Sequence, residues 1–149
     1  MTPAQLSTFK AAIIADATAG PLFSAGNDTA VAAYYNEPGA SFIWRPDFSL
    51  QDIANAIVWS DFDTVTAAKK GVFQAMLQTG ALDATKASIR AGFTTVFGGG
   101  SASVTALTAA AQRTPTRFEA LFAVSNVVPN DLYGHTVTPT DVGEARSAS

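Results

Sequence analysis

The sequence predicts a mainly α-helical protein: a small helical bundle of about five to seven helices over residues 1 to 123, with an extended C-terminal arm over residues 124 to 149. Three observations predict this class. Apolar residues recur at helical spacing in several stretches, and helix-capping residues precede those stretches. Beyond residue 123 the chain becomes turn-rich and β-branched, which indicates an arm with a short β segment.

The N-terminal part of the chain is predicted to contain two helices. The first spans residues 3 to 15, where apolar side chains follow helical spacing behind Thr2 as N-cap. Gly20-Pro21 is predicted to end it. The second helix is predicted to begin at Asn27 or Asp28, because either side chain accepts hydrogen bonds from a first helical turn.

The central part is predicted to place an extended strip before two further helices. Residues 41 to 46 are predicted to be extended, because the residue before a proline avoids the helical conformation. Ser49 and Asp52 form an acidic variant of the capping box and start a helix. A longer helix is predicted over residues 64 to 78, closed by Thr79-Gly80.

The three consecutive glycines Gly98–Gly100 raise the question of a phosphate-binding loop. Such a loop places a lysine directly after its last glycine, whereas the next basic residue here is Arg113. The glycines are therefore predicted to end a helix capped by Asp83 and to let the next helix start at Ser101 or Ser103.

The last helical segment is predicted to be split near Thr114, where Thr116 and Glu119 form a capping box. Residues 138 to 146 are predicted to hold one short terminal helical turn. The rest of the 124 to 149 segment has too little apolar surface to fold alone, so it is predicted to lie on a partner as an arm. A disordered tail and a tail packed on its own subunit are the alternatives.

The inventory of reactive side chains predicts that the protein is not an enzyme and binds no cofactor or metal. The sequence has no cysteine, and its single histidine, His135, lies in the turn-rich tail. No apolar run approaches the roughly 20 residues of a membrane span, and the N-terminus lacks the pattern of a secretory signal. We expect a protein made in the cytoplasm, without a membrane partner.

Asp61 and Asp63 form the tightest pair of carboxylates in the sequence. Two carboxylates can share a divalent cation, so a metal-dependent hydrolase is one hypothesis. Aspartates also stabilise the N-terminus of a helix, where the positive end of the macrodipole lies. The position of this pair before the predicted helix over residues 64 to 78 favours capping.

Charge is distributed unevenly along a chain whose formal net charge is −3. Residues 1 to 63 carry two basic and seven acidic side chains, whereas residues 64 to 118 carry six basic and one acidic. This pattern favours head-to-tail contacts between copies, and solvated surface charge explains it equally well. The basic candidates for an interface are Lys69, Lys70, Lys86, Arg90, Arg113 and Arg117.

Aromatic residues concentrate between positions 42 and 62. They line a ligand pocket in one hypothesis, and they pack in a core or a subunit interface in the other, which needs fewer assumptions. Phe42 and Trp44 are the aromatic candidates for an interface. The full cluster consists of Phe42, Trp44, Phe48, Trp59 and Phe62.

A series of motifs runs along the chain in a distinctive order: Leu6-x-x-Phe9-Lys10-Ala11-Ala12-Ile13-Ile14-Ala15-Asp16, Tyr35-Asn36, Phe42-Ile43-Trp44, Ile89-Arg90-Ala91-Gly92, Arg113-Thr114-Pro115-Thr116-Arg117-Phe118-Glu119 and Asp141-Val142-Gly143-Glu144-Ala145-Arg146. In this order the chain resembles a family of small head and neck proteins of tailed bacteriophages. The resemblance spans nearly the whole chain, and its motifs are structural and carry no catalytic signature.

The resemblance implies a structural virion protein, most closely a head-to-tail connector (adaptor) subunit that joins the portal to the tail. It implies a homo-oligomeric ring, dodecameric by resemblance, that binds the portal protein and a downstream neck or tail protein. A non-specific contact with packaged DNA is compatible with it. The arm is then the portal-docking element, and its candidate contacts are Val127, Val128, Leu132 and Tyr133.

Two alternatives stay open at this point. The same group of genes also supplies other neck proteins, tail-completion proteins and capsid decoration proteins. From a different class, a small helical regulator that binds DNA or a host protein is the second hypothesis. The sequence pI of about 4.9 and the lack of a basic recognition helix argue against a specific DNA reader.

Overall fold

The computed structural model describes residues 1–78 and 80–148. Within these residues the chain forms ten α-helices and one small sheet of two strands. The elements in chain order are α1 (Pro3–Ala15), α2 (Ala19–Ser24), α3 (Asp28–Asn36), β1 (Ile43–Trp44), α4 (Leu50–Ala56), α5 (Trp59–Thr64), α6 (Ala67–Leu77), α7 (Ala87–Phe97), α8 (Ala102–Ala110), β2 (Gln112–Arg113), α9 (Arg117–Phe122) and α10 (Pro139–Ser147).

The prediction of a mainly α-helical bundle is confirmed. The helices of the described residues outnumber the five to seven expected, because α2 and α5 are six-residue helices that hydrophobic periodicity does not reveal. The predicted extended strip contains β1, which pairs with β2.

Side-chain caps set many of the helix starts at their predicted places. Four helices begin with a complete capping box, in which each side chain binds the backbone N–H of the other residue. This contact spans only three residues, which is why the sequence reveals it. The pairs are Thr2 with Gln5, Ser49 with Asp52, Thr116 with Glu119 and Thr138 with Asp141.

Two sequence features predicted to bound helices do not do so. α1 spans residues 3 to 15 as predicted, but Gly20-Pro21 does not end it: the pair lies in the first turn of α2, where a proline removes no helical hydrogen bond. Asp83 does not cap α7, which begins at Ala87. The Asp83 carboxylate instead accepts the backbone N–H of Thr85 at 3.1 Å and forms a turn ahead of the helix.

Gly98 ends α7 as predicted. Its φ of +86° is a conformation that glycine adopts without strain. α8 then starts behind Ser101, whose hydroxyl accepts the N–H of Val104 at 3.2 Å. The glycine tract is therefore a joint between two helices. The other predicted stop, Thr79-Gly80, falls partly outside the described residues, because Thr79 is not among them.

The chain forms two compact units, of which unit 1 is discontinuous in sequence and combines Met1–Ile43 with Thr114–Ser149. Its core centres on Phe9. The rings of Tyr35 and Phe118 meet the Phe9 ring edge-on, with centroid distances of 4.9 and 5.1 Å. α10 packs against α1 and α3, so that both ends of the chain build one core.

The C-terminal segment is part of this core. The predicted division into a bundle ending at residue 123 and an arm beginning at residue 124 therefore differs from the observed one, and the tail is packed on its own subunit. The apolar side chains of the segment fill the space between α1, α3 and α9, since burial removes them from water. The ones that are at most 2% exposed are Val128, Leu132, Val137, Val142 and Ala145.

Polar side chains of unit 1 also hold this segment. The fully buried Glu119 accepts the N–H of Gly134 at 2.7 Å. The amide of Asn36 donates to the carbonyl of Val137 at 2.8 Å and accepts its N–H at 2.9 Å. Arg146 donates to a backbone carbonyl of α2 at 2.6 Å. The contacts of Glu119 and Asn36 satisfy backbone groups that the irregular segment leaves unpaired, and that of Arg146 satisfies a carbonyl of α2.

Unit 2 is continuous and spans Trp44–Arg113. α8 packs against α4 and α7, and α7 packs against α6. Phe73 and Phe93 are fully buried in its core. α7 approaches α6 closely at Gly92, where an added Cβ would lie 3.0 Å from the Met76 methyl group. This unit carries most of the basic and aromatic residues that the sequence indicates as interface candidates.

Candidate functional site

The basic residues predicted as interface candidates are divided between the two units. Arg117 belongs to unit 1, where its guanidinium lies 4.0 Å from the Tyr34 ring centroid and 3.1 Å from the Glu37 carboxylate. Lys86 of unit 2 lies 3.6 Å from the Asp83 carboxylate. Both cations thus pair within their own unit. The basic block of the sequence therefore includes side chains whose charge already has a partner within their own unit.

Arg90 has an internal role in unit 2. Its guanidinium lies 4.4 Å from the ring centroid of Trp44 and donates to the carbonyls of Ala84 and Thr85 at 2.7 Å each. Trp44 is half-buried under this cation. The contacts engage both side chains within the unit, where they hold the turn before α7. Arg113, another base of the predicted set in unit 2, lies on β2.

Lys69 and Lys70 differ from the other predicted bases. Neither has an ion-pair partner among residues 1–78 and 80–148. Lys69 is exposed, and the Lys70 Nζ lies 4.9 Å from the ring centroid of Phe62. Both lysines stand in the first turn of α6, where the helix dipole disfavours cations. Helix stability therefore does not explain their presence.

The aromatic cluster separates into buried and exposed members. Phe48 is fully buried in unit 2, and Phe42 is 37% exposed. Trp59 is 61% exposed, although tryptophan is the side chain with the most apolar area to bury. Its indole N–H has no hydrogen-bond partner in the described part of the chain. Its exposure makes Trp59 a candidate contact residue.

Trp59 stands at the edge of a concave apolar surface of unit 2, which we call the Trp59 groove. Its cavity has a volume of about 300 Å³, and α4, α5 and α6 each supply a wall. Apolar side chains dominate the lining. The residues that define it include Leu50, Ile53, Trp59, Phe62, Gln74 and Leu77.

A series of edge-on and tilted aromatic contacts connects the lining of the groove to the core of unit 2. Phe62 meets Trp59 edge-on at a centroid distance of 5.7 Å and lies 6.3 Å from Phe73. Phe73 in turn meets Phe97 edge-on at 5.3 Å. Because Phe73 belongs to the core, this chain of rings ties the exposed Trp59 to a rigid base. The groove is therefore preformed.

Asp61 fixes the helix that carries Trp59. Its carboxylate accepts the N–H of Ser103 at 2.8 Å, in the first turn of α8. The buried Ser103 hydroxyl accepts the N–H of Val58 at 3.1 Å and so secures the start of α5. The prediction that Asp61 caps the helix over residues 64 to 78 is wrong, because Asp61 lies inside α5 and Thr66 caps α6. The Asp61 carboxylate instead binds an N–H in the first turn of α8, where the helix dipole favours an anion. Asp63 is exposed at the end of α5.

The described residues offer no arrangement of three or more His, Asp or Glu side chains that could hold a metal ion. In unit 1, the His135 Nε2 lies 3.4 Å from the Asp141 carboxylate. Burial alone would raise the pKa of Asp141, but hydrogen bonds from the hydroxyl and the backbone N–H of Thr138 outweigh it and lower that pKa below its usual range. This carboxylate closes the capping box of α10, so the group holds the C-terminal segment in place.

The arm residues predicted to contact a portal lie mostly inside unit 1. The prediction is wrong for Val128 and Leu132, which are 2% and 1% exposed, because the core of unit 1 already covers them. Tyr133 is half-buried and packs against the same core. Val127 is half-buried and pairs with Val124 across a tight turn.

Sequence reasoning did not join Leu50, Trp59 and Gln74 into one site. Leu50 lies one helical turn before Ile53 and extends the apolar stripe of Ile53 and Ile57 to the start of α4. This extra apolar residue was the sequence signal for the groove. Trp59 stood within an aromatic cluster whose buried and exposed members look alike in sequence. Only the fold brings α4, α5 and α6 around one cavity.

No helix in residues 1–78 and 80–148 is long and apolar enough to cross a membrane. Comparison of the chain with protein-family models, curated proteins and solved structures finds no match in any of the three. The fold and the groove are therefore interpreted from this chain's own residues.

Proposed function

We propose that the chain is a structural protein of a tailed-bacteriophage virion, a head-to-tail connector (adaptor) subunit that joins the portal to the tail in a homo-oligomeric ring. The motif order from the opening helix to residues 141–146 supports the virion assignment by resemblance. The observation that carries the docking role is the Trp59 groove, a preformed apolar surface with an exposed tryptophan and two unpaired lysines beside it.

The groove suits protein–protein contact better than catalysis. Interfaces concentrate their binding energy in a few aromatic and aliphatic anchors that fill apolar pockets. A volume of about 300 Å³ lies at the small end of ligand pockets, so it holds one or two apolar side chains of a partner. Its polar lining residue, Gln74, supplies neither a base nor a nucleophile.

The docking element of this connector is unit 2, in place of a C-terminal arm. Residues 125–148 fold into unit 1, and releasing them would expose five core side chains to water. We therefore place the portal or neck contact on the Trp59 groove. Lys69 and Lys70 add a weak, salt-dependent contact with packaged DNA, which needs only a few inward-facing bases.

Binding to the portal ring encoded by the same genome tests this proposal. We expect the chain to cosediment with that ring, and we expect Trp59→Ala to weaken binding by about tenfold or more, as hot-spot truncations do. Val72→Ser is the matched control, because Val72 is 56% exposed on the same unit outside the groove. Absence of the chain from purified particles, together with no binding to the portal ring, would refute the proposal. Retardation of a specific DNA duplex at low salt would favour the regulator hypothesis instead.

A further inference from the structure

We propose that two copies of the free chain cover each other's Trp59 groove in a two-fold dimer, with Trp59 of each copy seated in the groove of the other. This inference goes beyond the connector role, because it describes the protein before it meets a virion partner. It rests on three properties of the groove, which together make the surface complementary to itself.

The first property is that an exposed aromatic side chain lies beside an apolar cavity. Trp59 lines the groove and is 61% exposed, and Leu50 on the opposite helix α4 is 44% exposed. The cavity of about 300 Å³ accepts one large apolar side chain. A protruding aromatic residue next to an apolar cavity is what a two-fold interface requires, since the same patch must serve as donor and receiver.

The second property is a pair of opposite free charges on the two helices that border the groove. Asp63 lies on α5, one helical turn after Trp59, and is exposed. Lys69 and Lys70 lie on α6, one turn before Phe73 and Gln74. In the described residues neither Asp63 nor the two lysines have an ion-pair partner.

A two-fold axis that runs along the groove places α5 of one copy against α6 of the other. This operation brings Asp63 of each copy towards Lys69 and Lys70 of its partner, so the two charge contacts form together. Charge pairs at the rim of an interface fix its register and exclude wrong orientations. The neighbouring carboxylate, Asp61, does not compete, because it binds the N–H of Ser103.

The third property is that the carboxylates near two exposed apolar residues of unit 1, Ile14 and Val124, already have hydrogen-bond partners. Ile14 and Val124 are 61% and 75% exposed on unit 1. Asp16, beside Ile14, already binds backbone N–H groups at the start of α2 and the Tyr34 hydroxyl. Asp131, beyond Val124, accepts the Gln5 amide at 2.7 Å. At the Trp59 groove, in contrast, an exposed apolar side chain lies on the same short helix as the unpaired Asp63, and unpaired lysines lie on the neighbouring helix.

Analytical ultracentrifugation of the full chain tests the dimer. A groove of this size buries less than a standard interface, so we expect dissociation in the range of about 10–100 μM. We expect Trp59→Ala to raise the dissociation constant about tenfold or more. Asp63→Lys and Lys70→Asp should each weaken the dimer, and the double variant with both changes should restore it to within about threefold of the wild type.

Two further measurements keep the result decisive. Circular dichroism of each variant checks that the helices are intact, and Val72→Ser should dimerise like the wild type. In a Trp44→Phe background Trp59 is the sole tryptophan, and its emission should shift to shorter wavelength as the concentration rises. A chain that stays monomeric at millimolar concentration, a dimer unaffected by Trp59→Ala, an unrestored double variant or a species larger than a dimer would overturn the proposal. None of these results bears on whether the chain is present in a virion.

Discussion

Units 1 and 2 are both helical, but they complete their cores differently. Unit 1 joins the two ends of the chain and closes its core with buried apolar residues and side-chain contacts to the backbone, such as those of Glu119 and Asn36. Unit 2 is continuous and leaves an apolar groove open beside Trp59. The difference is the reason that we place the proposed docking contact on unit 2.

The intrinsic fluorophores allow the two units to be followed separately. Both tryptophans, Trp44 and Trp59, lie in unit 2, and all three tyrosines, Tyr34, Tyr35 and Tyr133, lie in unit 1. Tryptophan emission therefore reports on unit 2. In the near-ultraviolet circular dichroism spectrum, the tyrosine bands report on unit 1.

The largest expected effect comes from deleting residues 126–149. The deletion removes five side chains from the core of unit 1. It also removes the backbone groups of Gly134 and Val137, which are the hydrogen-bond partners of Glu119 and Asn36. The loss exceeds the roughly 5–15 kcal/mol by which a domain is stable, so unit 1 should unfold. Near-ultraviolet circular dichroism should lose its tyrosine bands. Val124→Ser, at the 75% exposed start of the segment, should leave them unchanged. A deletion variant that keeps these bands would show that the segment is a dispensable arm.

A pair of aromatic truncations in unit 2 separates its core from its groove. Phe73→Ala removes a ring that is 1% exposed and should lower the free energy of unfolding by about 3–5 kcal/mol. Trp59→Ala removes a ring that is mostly in water and should cost less than about 1 kcal/mol. Urea unfolding followed by far-ultraviolet circular dichroism measures both. Equal costs for the two variants would mean that Trp59 is a structural residue and that the groove is an incomplete core.

Truncation of Glu119 tests how unit 1 holds its C-terminal segment. Glu119→Ala leaves the backbone N–H groups of Gly134 and Thr116 unpaired, and should cost about 2–4 kcal/mol. Glu119→Gln keeps one acceptor oxygen and should cost less. Urea unfolding monitored by the tyrosine bands gives both values, with Glu144→Ala at an exposed position as the control. A cost for Glu119→Ala no larger than that control would contradict the role assigned to this carboxylate.

The smallest expected effect is a dependence on acid pH that begins in unit 1. The pKa of Asp141 is lowered in the folded state, so its contribution to stability is present above the unfolded value of about 3.9 and is lost as the pH falls through the folded value. The unfolding free energy should therefore decrease below about pH 4. For Asp141→Asn, the unfolding free energy measured from the tyrosine bands should decrease less steeply as the pH falls. If the unfolding free energy of the wild type and of the variant changed equally with pH, Asp141 would not cause the acid dependence.

Local features of the fold could be predicted from the sequence because their interactions span few residues. Thr2, Ser49 and Thr116 start helices where they stand, since a capping contact reaches only three positions along the chain. Gly98 ends α7 because a positive φ suits glycine. The short terminal helix behind Thr138 follows from the same local rule.

Nonlocal features could not be predicted in the same way. Residues 124–148 look too polar to fold alone, and they do not fold alone, because the N-terminal helices supply the rest of their core. The basic middle of the sequence is dispersed, since Arg117 pairs with Glu37 in unit 1 while Arg90 covers Trp44 in unit 2. Charge and hydrophobicity along the chain do not state which residues the fold brings together.

The sequence predicted the aromatic cluster of the candidate site but not which of its members are exposed. The aromatic cluster between positions 42 and 62 predicted a core or an interface, and the structure shows that it includes the buried Phe48 and the exposed Trp59. The helix that carries Trp59 is tied to the start of α8 by Asp61, a contact between residues 42 positions apart. No local pattern encodes that contact.

A reconstruction of the assembled particle at side-chain resolution tests the central claim most directly, namely that unit 2 docks through the Trp59 groove. The account predicts the chain at the junction between portal and tail, with an apolar side chain of a neighbouring protein seated against Trp59 and Leu50. A particle that lacks the chain, or one in which the groove faces solvent while another surface makes the contacts, would contradict it.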